Sequence, residues 1–128
     1  MKTLLILLVC TFTFNLYAFD AGKFFKTNCK SCHTIGGGDT VGPDLAGLEK
    51  RRKVDWVVKF VSYPEGMVSG DPDEPGYEKA DKLAKKVYAA YKPTLMPEFS
   101  MDKTQVKALF EYLKSTKKSP KGKILKIK

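Results

Sequence analysis

The sequence predicts an all-α chain of about four helices with no sheet. Three observations carry that expectation. Four segments repeat apolar residues at helical spacing, glycine and proline punctuate them where helices should stop, and no stretch alternates apolar and polar residues as a half-buried strand would. Neither an internal repeat nor a second domain is visible.

The first helix is expected over residues 20–32, with Asp20 as its N-cap and Phe25, Cys29 and Cys32 on one stripe, and Gly36-Gly37-Gly38 breaks the chain beyond it. The second, residues 53–63, is apolar on two sides. Val54, Val57, Val58 and Val61 form one stripe and Trp56, Phe60 and Tyr63 another, so the helix should be sandwiched, with Pro64 ending it. Residues 65–76, rich in Pro, Gly and acid, read as a solvated loop; Asp71, Asp73 and Glu74 lack the spacing of an EF-hand. A third helix is expected over residues 77–91, with Ala80, Leu83, Ala84, Val87 and Tyr91 in register and Pro93 as its stop. The fourth starts at Asp102, which forms a capping box with Gln105, and carries Val106, Leu109, Phe110 and Leu113 to about Ser115.

Chemistry concentrates in Cys29-Lys30-Ser31-Cys32-His33, which holds the one histidine and two of the three cysteines of the 128 residues. CxxCH is the signature of covalent c-type haem attachment. Positions i and i+3 share a helix face, so both thiols can reach one porphyrin edge and form thioethers, while His33 is held against the iron as a neutral nitrogen ligand. A thioredoxin-like dithiol would need a βαβ setting, and a structural zinc site would need about four ligands where two thiols and one imidazole are offered.

With no second histidine, the other axial ligand is sought among Met67, Met96 and Met101. Met96 is favoured, because Pro93 and Pro97 stiffen the loop that would hold its thioether on the metal. Met67 and Met101 remain alternatives as ligands and equally as core filler.

Residues 1–18 read as a signal peptide: Met1-Lys2, an apolar run from Thr3 to Phe14, and a cleavage site after Ala18. The competing reading is an uncleaved membrane anchor. Cleavage would remove Cys10 and leave the two cysteines that a haem consumes, so no disulfide is expected. It would also leave a domain over residues 19–116 and a lysine-rich tail over residues 117–128, expected to be frayed or at most in weak contact with a membrane surface. The 23 basic and 14 acidic residues give a net charge of +9. With the lysines dispersed, no nucleic-acid motif and an export signal, this charge points to acidic protein faces rather than nucleic acid.

Together CxxCH, Gly42-Pro43-Asp44-Leu45, Met96-Pro97 and Ala108-Leu109-Phe110-Glu111-Tyr112-Leu113-Lys114 make the chain resemble the class I monohaem cytochromes c over residues 20–115. The resemblance implies that first and last helices cross, with Phe25 meeting Leu109 and Tyr112 and with Ala21 or Gly22 at the close approach. It implies that the Pro43 carbonyl accepts a hydrogen bond from His33 and that Trp56 donates to a haem propionate. Arg51 and Arg52 would pair with propionates as charged forks. It also implies one covalent haem c with its iron in a monomeric exported electron carrier, periplasmic or in an intermembrane-type compartment and not an enzyme. Its partners would be a quinol-oxidising complex and a terminal oxidase or reductase. The alternative is a haem-containing subunit or small haem enzyme with a vacatable distal site. The 65–76 loop and the tail depart from compact family members.

Overall fold

A computed structural model of the chain describes residues 18–123. The expected signal peptide, Ala18 apart, and residues 124–128 of the tail lie outside these. Among the described residues the chain is helical with no strand, and no helix is long and apolar enough to cross a membrane. It forms α1 (Ala21–Phe24), a π-helical turn (Phe25–Cys29), α2 (Leu48–Arg51), α3 (Val54–Ser62), α4 (Pro64–Ser69), α5 (Lys82–Tyr91) and α6 (Lys103–Ser115). Six α-helical segments thus stand where four were expected.

The first helix starts as its cap dictates, with Asp20 Oδ1 accepting the Lys23 N–H at 2.8 Å. It is regular for only one turn. At Phe25 the coil widens, and the Lys30 N–H reaches back five residues to the Phe25 carbonyl at 2.9 Å. An extra residue in a turn rotates everything after it by about 100°, so the widening re-aims Cys29, Cys32 and His33. The N–H groups of Cys32 and His33 both return to the Cys29 carbonyl, at 3.1 and 2.9 Å, and close the segment.

Pro64 does end α3, but it also opens α4, at the first-turn position where its missing N–H costs nothing. Residues 65–69 are therefore helix, not loop. Gly66, which looks like a breaker, is buried there because a Cβ would strike the Tyr63 ring. The expected helix over residues 77–91 begins only at Lys82, since Asp81 is the N-cap and accepts the Ala84 N–H at 2.8 Å. Tyr77 instead packs its ring on Tyr63, centroids 5.2 Å apart, and donates its hydroxyl to the Lys59 carbonyl. The fourth expected helix is α6, with both halves of its capping box formed, at 2.8 and 2.9 Å.

The core gathers Phe25, Val57, Val61, Met101, Val106, Leu109, Phe110 and Leu113, with α6 packed against α1, α2 and α3. Gly22 is the close approach: a Cβ there would lie 3.1 Å from Tyr112 Cε2, while the Phe25 and Tyr112 rings meet at 5.9 Å. Helix α3 is sandwiched, with Val57 and Val61 buried in the core and Trp56 stacked on Phe60 at 4.9 Å beside a cleft.

Residues 34–47 fold back under His33, tied by Gly42 N–H to the Cys32 carbonyl (2.8 Å) and Leu45 N–H to the Thr34 carbonyl (2.9 Å). Asp44 organises this loop from within. It is 1% exposed, and its carboxylate accepts the N–H groups of Gly36, Ala46, Gly38 and Lys121 at 2.7, 2.9, 2.9 and 3.1 Å. Lys121 belongs to the tail, and Lys123 N–H binds Asp39 at 2.8 Å. Up to Lys123 the tail is thus docked on the loop rather than frayed, because two carboxylates there accept its backbone donors.

Burial pushes the Asp44 carboxyl up, but the N–H donors of Ala46, Gly36, Lys121 and Gly38 outweigh it and hold the group below the usual carboxylate range. A carboxyl lowered on folding contributes stability that is complete above its unfolded pKa, about 4, and is lost as pH falls through the folded value. The thermal midpoint should therefore hold down to about pH 5 and drop below about pH 4. Asp44→Asn, with one acceptor oxygen instead of two, should cost about 2 kcal/mol at neutral pH and show a shallower acid limb in thermal melts. Gly22→Val should cost about 2 kcal/mol by forcing α1 off Tyr112, measured by chemical denaturation.

Candidate haem site

An apolar cleft opens beside the core, with about 1,410 Å³ of empty space including its mouth. Helix α3 gives it Trp56, Val57, Phe60 and Val61; the end of α5 gives Val87, Tyr88 and Tyr91; the segment from Thr94 to Pro97, Phe99, Met101 and Leu109 line it as well. The widened turn and the segment after it bring Cys29, Cys32, His33 and Pro43 to the same wall. These sequence-predicted residues therefore meet in one place.

His33 is fixed by what surrounds its ring. Nδ1 lies 2.8 Å from the Pro43 carbonyl oxygen. A carbonyl can only accept, so Nδ1 carries the proton and the lone pair is left on Nε2. Burial lowers the imidazole below its usual pKa and so favours the neutral ring; the Pro43 bond opposes this only in part. Gly42 is needed for this packing, because a Cβ there would stand 2.5 Å from His33 Cε1.

Both thiols are free. Burial, with Cys32 adding to it, pushes Cys29 up to about 11. That is the opposite of what a disulfide-exchange nucleophile needs, since such dithiols work through a lowered pKa. Two unpaired thiols, a neutral imidazole with a free nitrogen, and a large apolar cleft fit a covalently attached haem. Among the described residues no cluster of three or more His, Cys, Asp or Glu offers an alternative metal site.

The methionines separate. Met96, part-buried on the 93–97 segment, and Met101, buried at 5% exposure within the core cluster, both line the cleft. Met67 is buried in α4 and is not part of the wall.

Residues expected near the propionates have other partners. Trp56 gives its Nε1–H to Asp81 Oδ1 at 3.2 Å, not to a group in the cleft, and meets the cleft as part of its wall. Asp81 holds it because the same oxygen caps α5. Arg51 spends its fork on the carbonyls of Asp44, Ala46 and Gly47, at 2.9, 2.9 and 3.2 Å, and Arg52 lies over the Trp56 ring with its guanidinium carbon 5.5 Å from the centroid. Both still reach the cleft wall.

Tyr91 was legible only as a helix-stripe residue. In the structure it lines the cleft and donates to Asp39 Oδ2 at 2.9 Å. Burial, then the Asp39 bond and charge, push it up to about 12, so it stays a neutral donor.

A family model described as cytochrome c matches residues 20–117. Among solved structures, a cytochrome c from Rhodothermus marinus superposes with a TM-score of 0.57 at 24% identity, covering 74% of this chain and 72% of that one. A cytochrome c domain from Pseudomonas putida superposes with a TM-score of 0.54 at 27% identity, covering 75% of this chain and 86% of its own. The first likeness shows the fold; the match over residues 20–117 shows the family. The chain belongs to the cytochrome c family, whose members hold a covalently attached haem c with its iron and serve haem-based electron transfer.

Proposed function

We propose that the protein is an exported single-electron carrier whose haem iron is held between His33 and Met96. The observation that carries this reading is the shared cleft: a neutral imidazole with a free Nε2, two free thiols and the Met96 thioether all line one apolar cleft. When bound, haem c supplies a one-electron iron couple. Cys29 and Cys32 anchor it through thioethers, and the bond to Pro43 keeps Nε2 of His33 aimed by fixing the ring's tautomer. The stiff Pro93 to Pro97 segment presents Met96. Met101 is the weaker choice, because its side chain is part of the core cluster that supports α6. The apolar side chains of α3 exclude water from the iron and favour the reduced state.

With His33 and Met96 both holding the iron no position would be left for a substrate, and the chemistry the haem would supply is outer-sphere electron transfer. The basic charge, +9 for the whole chain and one less without Lys2, would steer the carrier to acidic faces on a quinol-oxidising complex and on a terminal oxidase or reductase. Such encounters are fast and screened by salt, so the second-order rate with an acidic redox partner should fall steadily from low to physiological ionic strength.

Met96→Ala should abolish the sulfur-to-ferric-iron charge-transfer band in the optical spectrum and open the reduced protein to rapid carbon monoxide binding. Met101→Ala should keep the band and lose stability by about 3 kcal/mol. The reverse pattern assigns the ligand to Met101; a wild-type protein without the band overturns His/Met ligation. Gly42→Ala should displace the His33 ring and weaken the axial bond, read as a high-spin fraction in the ferric spectrum.

A further inference from the structure

The peptide between Pro43 and Asp44 is gripped from both ends. Its carbonyl oxygen lies 2.8 Å from His33 Nδ1. Its N–H donates to Asp39 Oδ1 at 3.0 Å. One flat, conjugated amide therefore joins a carboxylate to the ring that the proposed function puts on the iron.

We propose that Asp39 is a positioning and tuning residue for His33, acting through the Pro43–Asp44 peptide. The inference rests on His33 being the axial ligand. Hydrogen bonds in a chain polarise one another, each strengthening its neighbour by about 10–30%. A negative oxygen on the N–H side draws that proton, pushes electron density onto the carbonyl oxygen, and makes it a stronger acceptor for Nδ1–H. The imidazole gains basicity and favours the oxidised metal. Asp39 also holds the amide plane in orientation, so the carbonyl cannot swing away from the ring.

Other contacts keep Asp39 in place. Its second oxygen accepts the Tyr91 hydroxyl at 2.9 Å and the Lys123 N–H at 2.8 Å. Gly122 lies so close that a Cβ would strike the Asp39 carboxylate. Residues from the loop, α5 and the C-terminal segment thus converge on one side chain that is not part of the cleft wall. Tyr91 and Lys123 also share the negative charge, so each moderates the pull on the peptide. Removing a donor should strengthen the pull, and removing the charge should abolish it.

Three forms of the full-length holoprotein test this: wild type, Asp39→Asn and Tyr91→Phe. Tyr91→Phe keeps the ring on the cleft wall and deletes only the hydroxyl. Two quantities are read in each, the midpoint potential and the proton resonance of the His33 ring N–H in the reduced, diamagnetic state. Asp39→Asn should raise the reduced-to-oxidised ratio at a fixed ambient potential about threefold and move the ring N–H resonance upfield. Tyr91→Phe should shift both quantities the opposite way. A potential that moves while the ring N–H stays fixed overturns the relay and leaves only a through-space charge effect. Shifts of the same sign in both variants overturn it as well. Should Asp39→Asn fail to fold, the Tyr91→Phe contrast alone decides, and an unmoved ring N–H there rejects the relay. A ring N–H that moves while the potential does not overturns His33 as ligand instead, and supports the relay from Asp39 to the ring.

Discussion

The core and the cofactor cleft are built from the same surface. Val57, Val61, Met101 and Leu109 are buried core residues and also line the cleft. In a domain this small the apolar area buried on folding is limited, and a group that fills the cleft adds to it. Half of α3 packs on α6 through its valines while Trp56 and Phe60 on its other side line the cleft. A covalently attached haem stays on the chain in both states, so filling the cleft is an intramolecular step whose contribution to stability does not depend on the concentration of free haem. The amphipathicity of α3 on two faces follows from this constraint, as do the positions of the aromatic residues around it.

A second constraint is electrostatic. The chain is strongly basic, yet its most buried polar side chain is the Asp44 carboxylate. Among the described residues its partners are backbone N–H donors, and with them Asp44 closes a loop too rich in glycine to hold its own shape. Three of the residues it fixes, Gly36, Gly38 and Ala46, bracket the turn that carries Pro43 beneath His33. Arg51 adds to the same frame by binding the carbonyls of residues 44, 46 and 47. Its guanidinium thus serves the loop's architecture first.

Much of this was legible in the sequence, and the reasons differ by element. The last helix was readable to its first residue, because a capping box and an apolar stripe are local signals that tertiary packing reinforces. The start of α5 was not, because the apolar spacing runs on through Ala80 and hides the Asp81 cap. Helix α4 was missed because Pro64 and Gly66 punctuate most sequences, whereas here the proline sits at a first turn and the glycine under a tyrosine ring. The π-turn at Phe25 leaves no mark in a helical repeat, since one added residue in a turn changes the phase and not the composition. The attachment residues were legible because their chemistry requires them side by side. The Asp39, Asp44 and tail contacts were not, because they join carboxylates to backbone N–H groups up to 84 positions away, and a backbone donor has no signature in a sequence.

That last class of contact explains how the site can be specified with so few side chains. His33 is neutral because it is buried, Cys29 stays protonated for the same reason, and the two outcomes serve one chemistry: a lone pair free for metal and thiols held for attachment instead of disulfide exchange. Neither requires a charged neighbour. Charges placed near the iron would shift its potential with every change in salt or partner. The two carboxylates of the loop beneath His33, Asp39 and Asp44, accept backbone N–H groups instead.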